Sequence, residues 1–151
     1  MTVTALQARY GETAPALNLP ELPLLDAMLS HRSVRHFVRD ALPAQTLETL
    51  VAAAQSAPTS SNLQTWSVIA VESQERREQL ANLVGPQKHL AVAPLVLVFL
   101  ADLSRIERLA ALQERSAVGL HYLDTFLMGV IDAALAAQNA VVAAEAMGLG
   151  T

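Results

Sequence analysis

Positive charge is concentrated in one short segment, HRSVRHFVR, residues 31–39, although the whole chain carries a formal net charge of −4. Within this segment, Arg32, Ser33 and Arg35 combine two guanidinium groups with a hydroxyl. A guanidinium presents a planar fork of N–H donors that matches the oxygens of a phosphate, so the segment could bind an oxyanion. Judged by charge alone, a solvated basic turn that pairs with acidic neighbours is the better-supported alternative.

A polar loop and a turn carry the other groups that could contact a ligand. In TSSNLQ, residues 59–64, the amides of Asn62 and Gln64 offer both donors and acceptors, which could read the edge of a heterocycle. Ordinary turn chemistry is the alternative, because serine and asparagine populate loops for local backbone reasons. In GPQKHL, residues 85–90, Gln87 could bond a ligand, although a turn after a helix explains it equally well.

Several other kinds of chemistry are disfavoured by what the sequence lacks. No GxGxxG, GxxxxGK(S/T), HExxH or GxSxG pattern occurs, which removes the common dinucleotide, P-loop, zinc-protease and esterase signatures. The four histidines lack the spacing of metal ligands, and a chain without cysteine can form neither a disulfide nor a thiolate site. We therefore expect no metal centre and no protein nucleophile.

The composition predicts one soluble domain. With 151 residues, 52% of them hydrophobic and 16% charged, the chain can bury a core and is too apolar for disorder. A net negative chain with one short basic segment is a poor match for nucleic acid. No signal-peptide pattern opens the sequence, and Asp124, Asp132 and Glu145 interrupt its longest apolar run, which argues against a membrane span. We expect a cytoplasmic protein without nucleic-acid or membrane partners.

Hydrophobic spacing and turn residues predict helices interleaved with two strands. Residues 1–23 are rich in proline and small residues and are expected to form an extended N-terminal arm, with a disordered tail as the alternative. Strands are predicted at 65–73 and, buried on both faces, at 94–102. Helices are predicted at 24–30, 42–58, 74–84, 104–115 and 118–147.

Specific residues are expected to begin and end these helices. Pro43 is placed for a first helical turn, and Gly85 and Gly148 each follow a helical run as C-caps. Ser104 with Glu107 has the spacing of a capping box.

The last predicted helix, 118–147, would span about 45 Å at about 1.5 Å per residue. It is apolar on most of its faces, and a helix that is hydrophobic nearly all round must be buried nearly all round. In a chain of this size, a second subunit is the expected cover.

Together these segments resemble the FMN-dependent nitroreductase family, most closely its oxygen-insensitive, NADPH-preferring branch. HRSVRHF resembles the family's flavin-phosphate segment, and APTSSNLQTW is similar to its Pro-Ser-Ser-x-Asn-x-Gln-x-Trp loop. GPQKHLAVAPLVLVFLAD resembles the run from the flavin edge into the central strand, and IDAALAAQNAVVAAEAMGLGT resembles the long dimer helix. The order of these segments, from about His31 to Thr151, favours the oxyanion interpretation. His36 and Arg39 are left as solvated surface.

The resemblance implies an α+β homodimer with a central mixed sheet, flanking helices and a long buried helix at the dimer interface. Residues 24–151 would form the N-terminal portion of its flavin domain. FMN would lie at the interface, with Arg35 beside the N1–O2 edge of its ring, where a fixed cation favours the anionic reduced flavin. The remaining implied flavin contacts are the phosphate ligands His31, Arg32 and Ser33, the loop residues Thr59, Ser60, Asn62 and Gln64 from the second subunit, and Gln87 on the pyrimidine side.

The family reaction is ping-pong: NADPH (or NADH) passes a hydride to the flavin, and a nitroaromatic, a quinone or free flavin then takes two electrons. Family members are longer than this chain. Their next core strand and the basic pair that completes the phosphate site would follow Thr151, so we expect the chain to be C-terminally truncated and to retain little flavin. The alternatives are a non-catalytic remnant that dimerises and binds flavin weakly, or an enzyme of this fold with another specificity.

Overall fold

A computed structural model describes residues 4–17, 19–85 and 87–151. Within these residues the chain alternates helices with two strands, as the α+β prediction requires, and adds short 3-10 turns at Gly11–Thr13, Ser60–Asn62 and Val118–His121. The parts of the predicted arm at 1–3 and 18, and Pro86 of the predicted turn, lie outside the described residues. The regular elements are α1 Ala5–Tyr10, α2 Pro23–Ser30, α3 Thr46–Gln55, β1 Trp66–Val71, α4 Gln74–Leu83, α5 Lys88–Val92, β2 Val96–Ala101, α6 Ser104–Leu112 and α7 Leu123–Ala146.

The expectation of an extended N-terminal arm is wrong for residues 5–10, which form α1. Thr4 begins this helix with a capping box: its hydroxyl accepts from the Gln7 amide at 3.2 Å, and the Gln7 side chain accepts from the Thr4 amide at 3.2 Å. The sequence TALQ carries the required Thr-x-x-Gln spacing, so the signal was present. Leu6 is buried and attaches the short helix to the domain.

The predicted capping box at α6 is also wrong. The Ser104 amide and hydroxyl both donate to the Asp102 carboxylate, at 3.0 and 2.7 Å, and Glu107 takes no part in the cap. The helix ends at Leu112 rather than near Arg115. An aspartate two residues ahead of Ser104 offers the backbone a nearer acceptor, which displaces the expected partner.

The two strands form an antiparallel pair that lies on α7, although α4 and α5 separate them in the chain. Their register runs from Trp66 opposite Ala101 to Val71 opposite Val96. The prediction that the second strand is buried on both faces is wrong for this chain, since β2 is half-buried along most of its length. The Trp66 ring packs against the Phe99 ring with centroids 5.9 Å apart, which makes the single tryptophan part of the core.

Helix α7 has two contrasting faces. Its buried face consists of small residues and one aspartate, and it packs closely on α3, where Leu50 and Ala54 are buried. These small residues recur at helical spacing, so α7 contributes no large side chain to its contact with α3. The buried residues of α7 are Gly129, Asp132, Ala133, Ala136, Ala140 and Ala144.

The opposite face of α7 is apolar and exposed, so the single chain does not bury this helix all round. Ile131, for example, is 55% exposed and Phe126 is 52% exposed. The helix begins at Leu123 rather than at 118, because residues 118–121 form a separate 3-10 turn. The exposed apolar residues of this face are Leu123, Phe126, Leu127, Val130, Ile131 and Leu135; we call it the apolar face of α7.

By length and composition alone, α7 also qualifies as a membrane span, with a mean hydropathy of 1.6 over its most apolar window. This is weak evidence, because core helices of soluble proteins have the same length and composition.

Replacing Ala136, which is fully buried between α7 and α3, should test this close approach. We expect Ala136→Leu to lower the free energy of unfolding by about 1–3 kcal/mol, since a well-packed core resists added volume. Ala111→Leu makes the same change at an exposed site of α6 and should stay within about 0.5 kcal/mol of the wild type. Equal urea midpoints for the two variants would contradict the packing described here.

Candidate functional site

The basic segment 31–39 follows α2 and lies against the end of α7. The Val34 amide donates to the Thr151 carbonyl at 2.7 Å, which joins the two backbones. Gly150 permits this contact, because a Cβ at that position would lie 3.0 Å from a Val34 methyl. The segment is therefore held by main-chain contact, which leaves its charged side chains free to project.

His31 is tied to the protein by its side chain as well as by its carbonyl. Its Nδ1 lies 2.6 Å from Oε1 of Glu145, and the Thr151 hydroxyl donates to the same oxygen at 3.0 Å. Arg9 donates to the carbonyls of Leu29 and His31 at 2.9 and 3.2 Å, so α1 supports the same corner. With Nδ1 engaged, only Nε2 of His31 is left for the predicted phosphate contact.

Arg32, Ser33 and Arg35 are exposed, and both guanidinium groups are close to the backbone. Arg32 donates to the His31 carbonyl at 2.8 Å, and Arg35 donates to the Val34 carbonyl at 2.8 Å. In residues 4–17, 19–85 and 87–151, neither arginine contacts a carboxylate. Most of their N–H donors therefore remain available to an external anion, as the oxyanion interpretation requires.

His36 and Arg39 lie further along the same segment. Both are exposed, as predicted, and neither side chain makes a hydrogen bond within the part of the chain that the structure describes.

The 59–64 loop has a backbone that side chains other than glycine rarely adopt. Ser61, Asn62 and Gln64 have φ values of 50°, 55° and 53°. A left-handed conformation costs a non-glycine residue about 1 kcal/mol or more, so such a loop persists only when its surroundings hold it.

Asp132, on the buried face of α7, supplies one of the two supports of this loop. Its carboxylate accepts from the Ser60 amide at 3.0 Å, from the Ser60 hydroxyl at 3.1 Å and from the Thr65 hydroxyl at 3.2 Å. Asp132 and Thr65 are each only 1% exposed. We did not predict a site role for Asp132; the available signal was an acidic residue on a helix face otherwise made of small buried residues.

Arg105 of α6 supplies the second support and borders a cleft. Its guanidinium donates to the Gln64 carbonyl and, at 3.4 Å, to the Trp66 carbonyl. The cleft has a volume of about 510 Å³, and its polar lining comes from both the loop and β1. Three of the predicted loop ligands reach it: Thr59, Asn62 and Gln64.

Asp102, which follows β2, accepts a hydrogen bond from Ser67, a residue of β1 that lines this cleft. Hydrogen bonds from Ser104 and Ser67, together with the positive charge of Arg105, hold the pKa of the Asp102 carboxyl below its usual range, against a smaller opposing effect of burial. Ser67 and Arg105 both line the cleft, so Asp102 contributes negative charge behind its wall.

A second, more apolar cleft of about 610 Å³ lies beside Arg35. Its walls include His89 and Leu90 of α5, residues of α7 such as Ala140 and Ala144, and residues 148–151, which follow that helix. Gln87, which immediately precedes α5, is exposed and does not line this cleft.

The predicted ligands thus form two separate groups at different positions along α7. Within one chain the two groups do not meet in a single site. The basic segment lies beside Glu145, and the 59–64 loop lies beside Asp132. At about 1.5 Å per residue, those two positions are about 20 Å apart along the helix axis.

Residues 28–151 match the model of the nitroreductase family. The chain belongs to this family. It is 42% identical over 127 residues to an FMN reductase (NADPH) of Bacillus subtilis, covering 83% of this chain and 51% of that protein. It is 39% identical over 128 residues to an oxygen-insensitive NADPH nitroreductase of Salmonella typhimurium, covering 85% and 51%. The nitroreductase chain therefore spans about half the length of the curated relatives it matches.

Solved structures support the same assignment. The chain resembles the NfrA1 nitroreductase from B. subtilis with a TM-score of 0.82 and 41% identity, over 84% of this chain and 52% of that one. It resembles the NADPH:FMN oxidoreductase from Vibrio harveyi, solved with NAD+, with a TM-score of 0.77 and 32% identity, over 85% and 54%. The family and the nitroreductase-like fold that the sequence predicted are confirmed.

The lowered pKa of Asp102 has a consequence for acid stability. Its folded-state pKa lies below the unfolded value, so its stabilising effect is complete at neutral pH and is lost as the pH falls through the folded-state value. We expect the wild type to be more stable than Asp102→Asn near pH 7, and the difference to shrink below about pH 4. Urea midpoints at several pH values measure this. Asp40→Asn, at an exposed carboxylate, is the control. If the difference in urea midpoint between the wild type and Asp102→Asn were the same at pH 7 and below about pH 4, the lowered pKa of Asp102 would be contradicted.

Proposed function

We propose that this chain is the N-terminal part of an FMN-dependent NAD(P)H oxidoreductase. Residues 24–151 would belong to its flavin domain. The whole protein would reduce nitroaromatics, quinones or free flavin by two electrons, in ping-pong fashion. Two relatives support this by name, an FMN reductase (NADPH) and an oxygen-insensitive NADPH nitroreductase. The observation that carries the proposal is the pair Arg32 and Arg35, both exposed without a carboxylate partner among the described residues, with Arg35 beside an apolar cleft.

The residues present fit FMN. Two unpaired guanidinium groups and the Ser33 hydroxyl suit a dianionic phosphate, and the cleft of about 610 Å³ beside Arg35 suits a flat apolar ring. His31 fits less directly, because Glu145 already occupies its Nδ1. We assign the phosphate to Arg32 and Ser33, with His31 contributing through Nε2.

The bound flavin would supply the chemistry, accepting a hydride from NADPH or NADH and passing two electrons to the acceptor. The chain's own residues bind and orient it. Arg35 would place its fixed positive charge at the ring edge, and Gln87 would bond the pyrimidine side. The polar groups of the 59–64 loop would fix the ring position: Thr59, Ser60, Asn62 and Gln64.

We further propose that two copies share each site. The apolar face of α7 requires a cover, and a second copy would bring its own 59–64 loop to the basic segment of the first. The separation of about 20 Å between the two groups within one chain favours this arrangement. The proposed protein is soluble and cytoplasmic, without nucleic-acid or membrane partners.

Three arginine variants of the basic segment test the flavin assignment. We expect Arg32→Ala to raise the dissociation constant for FMN about 10- to 100-fold, the effect of losing one or two charge-assisted hydrogen bonds. Arg35→Ala should slow reduction of the bound flavin by NADPH more than it weakens FMN binding. Equilibrium dialysis and stopped-flow absorbance at saturating FMN measure the two effects.

Arg39→Ala is the matched control, since Arg39 belongs to the same exposed segment and has no assigned contact. It should leave both quantities within about twofold of the wild type. Loss of FMN affinity alone in both Arg32→Ala and Arg35→Ala would refute the separate role of Arg35. The wild-type chain is expected to bind FMN weakly, so only a chain that binds no FMN at the highest soluble FMN concentration would favour the non-catalytic alternative.

Charge on the apolar face of α7 tests the shared site. Leu127 and Ile131 are 50% and 55% exposed on this face. We expect the wild type to sediment at twice the mass of one chain and the double variant Leu127→Glu/Ile131→Glu to sediment as a monomer, because buried unpaired carboxylates oppose association. Leu112→Glu, at an exposed leucine of α6, should not change the mass. A double variant that remains dimeric would exclude this face as the interface.

A further inference from the structure

Asp132 directs all of its hydrogen bonds to a single loop. Both carboxylate oxygens accept from the Ser60 amide, at 3.0 and 3.2 Å, and they also accept from the Ser60 and Thr65 hydroxyls. No Lys, Arg or His in the described ranges forms an ion pair with it. A carboxylate that is 1% exposed and balanced only by neutral donors depends on those donors remaining in place.

The donors of Asp132 bracket the part of the loop that has the left-handed backbone. Ser60 lies just before Ser61 and Asn62, and Thr65 lies just after Gln64. Arg105 independently holds the Gln64 and Trp66 carbonyls from the other side. The loop between these anchors displays the Asn62 and Gln64 side chains at the cleft of about 510 Å³.

The side chains of that loop are themselves oriented by this backbone. Gln64 Nε2 donates to Asn62 Oδ1 at 3.4 Å, a long hydrogen bond that the loop backbone brings within reach. Loop residues that adopt φ values near +50° would otherwise relax to ordinary conformations, and the amides would then turn away from the cleft.

From these contacts we propose that Asp132 is a positioning residue. By bonding to Ser60 and to Thr65, which follows the 59–64 loop, it holds that loop in its left-handed conformation so that Asn62 and Gln64 meet the flavin. The inference rests on the proposed function for its ligand, and on the contacts of this chain alone for the anchoring. Asp132 acts through Ser60 and Thr65 and does not itself contact the ligand.

Hydrogen exchange tests the anchoring without any flavin. In the full chain free of FMN, Asp132→Ala should exchange the amides of residues 60–65 about 10- to 100-fold faster than the wild type, and Asp132→Asn should give a smaller increase. Asp124→Asn, which makes the same change at an exposed position of α7, should leave these rates unchanged. Amides of α3 and of the rest of α7 report whether the fold is intact.

Thr65 provides a conservative pair for the same contact. Thr65→Val keeps the shape and removes the hydroxyl that donates to Asp132, so the loop amides should exchange faster. Thr65→Ser keeps the hydroxyl and should restore the wild-type rates. Equal rates in the valine and serine variants would show that packing, not the hydrogen bond, holds the loop.

Equilibrium dialysis then separates the two proposals. When the wild type binds FMN, Asp132→Ala should raise the FMN dissociation constant about tenfold or more while Asp124→Asn does not. Unchanged loop exchange or unchanged FMN affinity in Asp132→Ala overturns the positioning role and leaves the proposed function standing. Because this chain spans about half of its relatives and is expected to bind FMN weakly, the titration extends to the highest soluble FMN concentration. If the wild type binds no FMN even there, the proposed function fails and Asp132 loses its flavin role, even where its variants exchange faster.

Discussion

The close approach of α7 to α3 is the constraint on which the rest of this nitroreductase chain depends. Ala54 and Ala136 are fully buried where the two helices meet, and further alanines follow at one-turn intervals. Gly129 extends the same face to the strand pair: a Cβ there would lie 3.1 Å from the Thr65 carbonyl. Because small side chains bring these backbones together, α7 fixes the positions of α3, the strand pair and the 59–64 loop at once.

Charged groups within this frame are retained where each has several specific partners. Arg77 is 7% exposed and donates to Gln74 at 2.7 Å and to the Pro94 carbonyl at 3.0 Å, which holds the start of α4 near the entry to β2. Asp132 and Arg105 have comparable sets of partners around the loop. Hydrogen bonds offset the cost of burying a charge, so each of these residues also restricts the backbone to which it bonds, although the Arg77 Nε is buried without a partner among the described residues.

The sequence predicted the parts of the structure that depend on local pattern. Alternation located β1, helical spacing located α3 and α7, and the left-handed Gly148 ends α7 as expected. The ordered segments that resemble nitroreductases identified the family. These features could be read because residues close in the chain determine them.

What the sequence could not provide were contacts between distant residues. Glu145 and His31 are far apart in the chain, and the residues around each of them give no sequence signal for the 2.6 Å contact between His31 Nδ1 and Glu145 Oε1. Asp132 was recognised only as a residue unsuited to a membrane, since its loop partners lie about seventy positions away. The failed capping box at Ser104 shows a different limit, in which two acceptors compete and geometry selects Asp102.

Ile131 and Asp132 are neighbours in the chain but face different surroundings, one the exposed apolar face of α7 and the other the loop. Consecutive residues of a helix differ by about 100° of rotation around its axis. A rigid helix cannot turn one of these side chains without turning the other. Any packing of the apolar face that rotated α7 about its axis would therefore also move the Asp132 carboxylate relative to the loop.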